Sequence, residues 1–117
     1  MKYLVVDDSK LARLSLIKSL KLYAQTDEIF QAANGADALE IMKKENADIV
    51  FLDLTMPIMD GYEALPKLLE SNKNAKVIIV SADVQTRAKE KVFSLGAKLH
   101  IQKPINKDKM QEILKSI

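Results

Sequence analysis

A chain of 117 residues, 48% hydrophobic and 29% charged, has the size and composition of one globular domain with a real core, which excludes disorder and argues against two domains. The net charge of +2 is too small to point to nucleic acid, and the absence of Cys excludes disulfides and thiolate zinc sites. No apolar run approaches the roughly 20 residues of a membrane helix, and with no signal peptide expected before the first strand, the chain is expected to be cytoplasmic, with no membrane partner.

Read in order, short apolar runs alternate with amphipathic segments. Tyr3–Val6 reads as a buried strand that ends on two acids, Asp7 and Asp8. Ser9 can cap a helix through about Tyr23, with Leu14, Ile17 and Leu20 inward and Lys10, Arg13, Lys18 and Lys21 outward. A weaker strand fits Glu28–Ala32. Asn34 can cap a second helix that carries Leu39 and Met42 and stops near Asn46. Ile49–Leu52 is a third strand, followed by Asp53. Asp60 and Glu63 have capping-box spacing for a third helix. Pro66 either kinks that helix, by removing the bond to the Tyr62 carbonyl, or marks a later start.

Val77–Val80 is a fourth strand, followed by Ser81. Val84, Ala88, Val92 and Leu95 give a fourth helix its apolar face, and Gly96 suits the position after its end. A weak fifth strand at Lys98–Ile101 leads to Lys103. Asn106 can cap a last helix with Met110, Ile113, Leu114 and Ile117 inward. Continuous β-branched runs are how strands covered on both faces read. Five strand–helix units in strict alternation predict an α/β fold over residues 1–117, a five-stranded parallel sheet with helices on both faces.

Charge is distributed unevenly along the chain. Residues 1–64 hold 7 Lys/Arg against 11 Asp/Glu, and residues 65–117 hold 11 against 5. This reads either as solvated helix faces or as an acidic site and a basic docking face.

In an open α/β sheet, ligands bind beyond the carboxyl ends of the strands. Asp7 and Asp8 end the first strand and Asp53 the third, so neighbouring strands would bring three carboxylates to one rim. Their mutual repulsion, about 3 kcal/mol per pair at ~5 Å, asks for a cation or a proton. A hard divalent ion with oxygen ligands, Mg²⁺, suits them. The alternative is that Asp7 or Asp8 merely caps the first helix. Ser81 adds a hydroxyl and Lys103 a cation at the same end, completing a set able to handle a phosphoryl group. A spare carboxylate can be the nucleophile, giving an acyl phosphate.

The stretches LVVDDS at 4–9, FLDLTMPIMDG at 51–61, VIIVSA at 77–82 and GAKLHIQKP at 96–104 together resemble the receiver domain of two-component response regulators, particularly the chemotaxis-type single-domain form. The resemblance covers essentially the whole chain. It implies the doubly wound, flavodoxin-like strand order 2-1-3-4-5. It implies Asp53 as phosphoacceptor, Asp8 as direct and Asp7 as water-mediated Mg²⁺ ligand, the Thr55 backbone carbonyl as a further ligand, and Ser81 and Lys103 on the phosphoryl group. The donor is then a phosphohistidine on a sensor histidine kinase or phosphotransfer protein, and the output is a downstream protein target rather than nucleic acid. Such a domain is a signalling phosphoacceptor that promotes its own phosphotransfer and dephosphorylation. Phosphorylation biases an inactive–active equilibrium reported by the fourth helix, fifth strand and fifth helix, where Arg87, Lys89, Lys91 and Lys98 fall. The resemblance also implies a cis Lys103–Pro104 bond.

His100 stands where the family most often has Tyr or Phe. It reads either as a polar residue at a strand surface or as a titratable switch paired with Ser81, its charged form disfavoured beside Lys98 and Lys103. Three other readings compete. A metal-dependent phosphatase commonly has an acid two residues after its nucleophile, where Thr55 stands. A flavin carrier needs a Ser/Thr/Gly-rich loop where DDSKLAR stands. A constitutive binding module of the same fold usually lacks part of the acid or lysine set, which is complete here. With 117 residues the chain is expected either to act alone or to be the receiver part of a longer regulator.

Overall fold

The computed structural model describes residues 1–24, 28–83 and 85–117. Among them strands and helices alternate as β1 Lys2–Val6, α1 Lys10–Tyr23, β2 Glu28–Ala32, α2 Gly35–Glu45, β3 Ile49–Leu52, α3 Gly61–Ser71, β4 Lys76–Ser81, α4 Thr86–Ser94, β5 Leu99–Gln102 and α5 Lys107–Ser116. The strands form one sheet in the order β2-β1-β3-β4-β5, and every neighbouring pair is parallel.

The strand runs are continuous in apolar residues because both faces are covered. Leu4, Val6, Val50, Leu52, Val77 and Ile79 turn to one side and pack with Ala38 and Met42 of α2, Ala64, Leu65 and Leu68 of α3 and Val92 of α4. Tyr3, Val5, Ile49, Phe51, Ile78 and Val80 turn to the other and pack with Ile17 and Leu20 of α1 and Met110 and Ile113 of α5. Strands β2 and β5 lie at the edges and are only partly buried, which is why their apolar signal is weak.

The helix starts follow their caps. Side-chain oxygens of Ser9, Asn34, Asp60 and Asn106 accept the backbone N–H three residues on, at 3.2, 2.9, 2.9 and 2.8 Å. Helix α4 is the exception, for Gln85 makes no side-chain cap bond. Asn46 (φ 54°) and Gly96 (φ 107°) close α2 and α4 in the left-handed region, as chain reversal after a helix requires. Pro66 lies inside α3, which begins at Gly61 and not later. The position given to Val84 on the fourth helix falls outside the described residues.

Helix α1 departs from its expected face in two places. Leu14, expected inward, is 46% exposed. At 100° per residue it sits roughly 115° around the helix from the centre of the Leu16, Ile17 and Leu20 stripe. Arg13, expected outward, falls almost on the centre of that stripe and is half-buried. Its place one turn into the helix sets it over the strand ends rather than the core.

Candidate functional site

The β1–β3 register pairs Val6 with Leu52, so the next residues, Asp7 and Asp53, leave adjacent strands side by side. Each is strapped one step beyond its strand. The Asp7 N–H donates to the Ala32 carbonyl at 3.1 Å and the Asp53 N–H to the Val6 carbonyl at 3.0 Å. Both side chains are buried, whereas Asp8 is exposed. One carboxylate oxygen from each of Asp7, Asp8 and Asp53 lies within 4.8 Å of the others.

Lys103 reaches the same rim from the end of β5. Its N–H donates to the Ser81 carbonyl at 2.9 Å, and the Lys103–Pro104 bond is cis. Its Nζ lies 2.6 Å from Asp7 Oδ2 and 3.1 Å from Asp53 Oδ2. The second Asp53 oxygen accepts the Leu54 N–H at 2.8 Å.

These contacts do not neutralise the acids. Burial pushes the Asp53 carboxyl above its ordinary 3.8, and the negative charge of Asp7 adds to that. The hydrogen bond and charge of Lys103 and the Leu54 N–H pull the other way without prevailing. For Lys103, burial pulls the pKa down, but bonds and charges from Asp7 and Asp53 together hold it above 10.5. One ammonium shared between two buried carboxylates, with a third nearby, leaves an excess of negative charge. At separations of no more than 4.8 Å the repulsion is about 3 kcal/mol or more per pair in a medium of effective dielectric about 20. The donor atoms are hard oxygens, which fit Mg²⁺ or Ca²⁺ and not a soft metal.

Ser81 is buried at the end of β4. Its Oγ accepts the Asp83 N–H at 3.0 Å, and its own proton has no acceptor among the described residues. Thr55 is exposed two residues past Asp53, and its carbonyl accepts no backbone hydrogen bond among the described residues.

His100 is not a solvated strand residue. Both ring nitrogens are shielded from solvent, and neither makes a hydrogen bond of acceptable geometry among the described residues. Burial, then the positive charge of Lys89 on α4, lower its pKa below the usual 6.5, against a smaller upward pull from backbone groups of His100 and Asp83 and from the Asp83 charge. The repelling cation therefore sits on α4 rather than on the strand's own Lys98 or on Lys103.

Two residues near the rim were not singled out for the site from the sequence. Arg13 donates from Nη1 to the Asp7 carbonyl at 2.6 Å and from Nε to Gln31 Oε1 at 3.0 Å. Its position on the inward stripe of α1 was the signal that could have found it. Lys109 donates from Nζ to the carbonyls of Gln102 and Pro104, at 2.9 and 3.2 Å, clasping the chain on both sides of Lys103. No sequence spacing announces that contact. Gly61 closes the floor of the site. Its N–H donates to the Leu54 carbonyl at 2.9 Å, and a Cβ there would stand 2.2 Å from the Asp53 carbonyl oxygen.

The arrangement can hold a divalent cation, present a carboxylate nucleophile and offer an ammonium and a hydroxyl to an anionic group. Comparison with known proteins points the same way. The sequence model described as "Response regulator receiver domain" matches residues 3–115. A chemotaxis protein CheY of Treponema pallidum (strain Nichols) is 37% identical over 118 residues, covering 99% of this chain and 81% of that protein. Sporulation initiation phosphotransferase F of Bacillus subtilis (strain 168) is 36% identical over 114 residues, covering 97% of this chain and 90% of the relative. Among solved structures, the CheX–CheY–BeF3–Mg complex of Borrelia burgdorferi contains a chain that superposes with a TM-score of 0.86 at 33% identity, covering 99% of this chain and 85% of that one.

Proposed function

The chain belongs to the response regulator receiver domain family, and on that premise we propose that residues 1–117 form a single receiver domain that accepts a phosphoryl group on Asp53 in a two-component phosphorelay. The observation that carries this reading is the convergence of Asp7, Asp8 and Asp53 within 4.8 Å, with Lys103 spanning two of them. In this reading Asp8 and Asp53 would hold Mg²⁺ directly, Asp7 would act through water, and the Thr55 carbonyl would complete the protein's share. When bound, the ion would supply Lewis-acid stabilisation of the negative charge on the transferring group.

The rest falls to the chain's own groups. An Asp53 oxygen forms the P–O bond as the P–N bond of a phosphohistidine breaks, and the departing imidazole nitrogen keeps the electron pair and takes a proton from solvent. Lys103 is positioned to exchange its Asp53 contact for the incoming phosphoryl oxygens. Ser81 can give its uncommitted proton to one of them while still accepting the Asp83 N–H. Movement of Ser81 then acts through His100 on the α4–β5–α5 face, where a downstream protein reads the state. The donor is a sensor histidine kinase or phosphotransfer protein. The Borrelia burgdorferi relative, solved with CheX, BeF3 and Mg, supports both a protein target and the ion. No helix among the described residues is long and apolar enough to cross a membrane.

Incubation with Mg²⁺ and acetyl phosphate, followed by intact-mass measurement, tests the proposal. The expected result is a gain of one phosphoryl group that Asp53→Asn abolishes. No gain with acetyl phosphate or phosphoramidate would instead favour constitutive binding on the same fold.

A further inference from the structure

The two acids that end β1 are held very differently. Asp7 is tied at every polar atom: its N–H to the Ala32 carbonyl, its carbonyl to Arg13, Oδ1 to the Ser9 N–H at 2.9 Å and Oδ2 to Lys103. Asp8 is exposed, and its carboxylate has no hydrogen bond or ion pair among the described residues. With no side-chain partner, the only constraint on that carboxylate beyond its own rotamers is the backbone from which it departs. The Asp7 carbonyl and the Asp8 N–H belong to one planar peptide unit. Whatever holds that carbonyl holds the plane from which Asp8 departs.

Arg13 holds it. One arm of the guanidinium reaches the Asp7 carbonyl at 2.6 Å, while Nε is braced on Gln31 Oε1 at 3.0 Å. Gln31 is itself placed by the β1–β2 ladder, opposite Val5. The Arg13 backbone N–H donates to the Ser9 carbonyl at 3.0 Å, so the same residue also closes the first turn of α1. The guanidinium is a rigid planar fork and can serve two acceptors at a set angle. It spans from α1, across the end of β1, to β2.

We propose that Arg13 is a positioning residue of the acidic site, which fixes the Asp7–Asp8 peptide plane through its bond to the Asp7 carbonyl and so aims the otherwise unsupported Asp8 carboxylate at the divalent cation. This rests on the metal-binding reading given above. The Arg13 side chain bonds none of the Asp7, Asp8 or Asp53 carboxylates among the described residues, so it acts through Asp8. Gln31 is the brace that keeps the fork from turning.

The test is a Mg²⁺ titration of the full chain, read by calorimetry, for wild type, Arg13→Ala, Arg13→Lys and Gln31→Ala, each also in an Asp8→Asn background. Loss of a group that orients a metal ligand typically weakens affinity about ten- to a hundredfold, and that is the effect expected of Arg13→Ala. Gln31→Ala should lose less, and Arg13→Lys should recover only part, since an ammonium has no fork to hold both acceptors. In the Asp8→Asn background Arg13→Ala should cost nothing further, because the residue through which it acts is gone. Without metal, ¹⁵N relaxation should show the Asp8 and Ser9 amides more mobile in Arg13→Ala, with Leu4 and Val50 unchanged. If Arg13→Ala does not fold, Gln31→Ala carries the same comparison. Equal Mg²⁺ affinity in wild type and Arg13→Ala overturns the proposal and leaves the metal site standing, as does a loss that persists undiminished beside Asp8→Asn. A wild-type chain that binds no Mg²⁺ removes the metal reading and this proposal with it.

Discussion

On the β1–β3 side of the rim, charged groups have partners on several elements at once. Asp7 is bonded from β2, α1 and Lys103, and Asp53 from Leu54 and Lys103. On the β4–β5 side the backbone is bonded but several side-chain groups are not. Among the described residues, His100 has two shielded ring nitrogens without a hydrogen-bond partner, Ser81 has an uncommitted proton, and the neighbouring helix α4 starts without a side-chain cap. A side built to hold charge in fixed places needs its hydrogen bonds complete, because each idle buried polar group costs about 1–3 kcal/mol. A side that must exchange one arrangement for another gains from having little to break. The difference suggests where stiffness and give lie in this domain.

The harshest way to break the contrast is to remove the tie on the stiff side. Lys103→Ala leaves Asp7 and Asp53 facing each other without a cation. Loss of one partner of a buried pair costs about 3–5 kcal/mol, and because the Lys103 side chain keeps 27% of its exposure, about 2 kcal/mol is expected here. Urea unfolding at pH 7 reads this loss, and Mg²⁺ should restore more of it in the variant than it adds to wild type. No loss would mean that the acids are solvated and not clustered.

Asp53→Asn should act in the other direction. The folded-state pKa of Asp53 lies above 3.8, so its stabilising contribution is present below 3.8 and lost as pH rises through the folded value. At pH 7 the neutral amide therefore raises the melting temperature of the metal-free chain, and the gain should vanish below pH 3.8. A melting temperature that falls at pH 7 would show the Lys103 contact outweighing burial.

The loose side can be stiffened. Gln85→Asp supplies the cap that α4 lacks and places a negative charge at its start, worth about 1 kcal/mol in urea unfolding. If phosphorylation biases α4, the variant should also alter partner binding without changing phosphoryl uptake at Asp53.

The smallest effect belongs to His100. Its folded-state pKa lies below 6.5, so its contribution is present above 6.5 and lost as pH falls through the folded value. Unfolding compared at pH 7.5 and 5.5 should show a loss on acidification that His100→Tyr removes, with phosphorylation at Asp53 intact. Equal pH slopes would mean that the ring is free to reach solvent.

What could be read from the sequence follows from the same physics. Strand order aside, the alternation and four of the five helix starts were legible, because a continuous β-branched run and an Asn, Ser or Asp cap act over a few residues. The meeting of Asp7, Asp8 and Asp53 was legible only conditionally, since it depends on β1 and β3 being neighbours. Arg13 and Leu14 were misplaced because counting apolar residues along α1 did not settle where its stripe is centred. The Lys109 clasp and the isolation of the His100 ring arise between elements remote in sequence, and no local pattern encodes them.

Gly61 has a mechanical consequence. Backbone meets backbone where α3 begins: a Cβ there would stand 2.2 Å from the Asp53 carbonyl oxygen and 2.8 Å from Leu54 Cα, while the Gly61 N–H is bonded to the Leu54 carbonyl. The contact resists compression through atomic overlap and tension through the hydrogen bond. The end of β3 and the head of α3 are thus held at one separation, and any side chain larger than hydrogen at position 61 would have to wedge them apart beside Asp53.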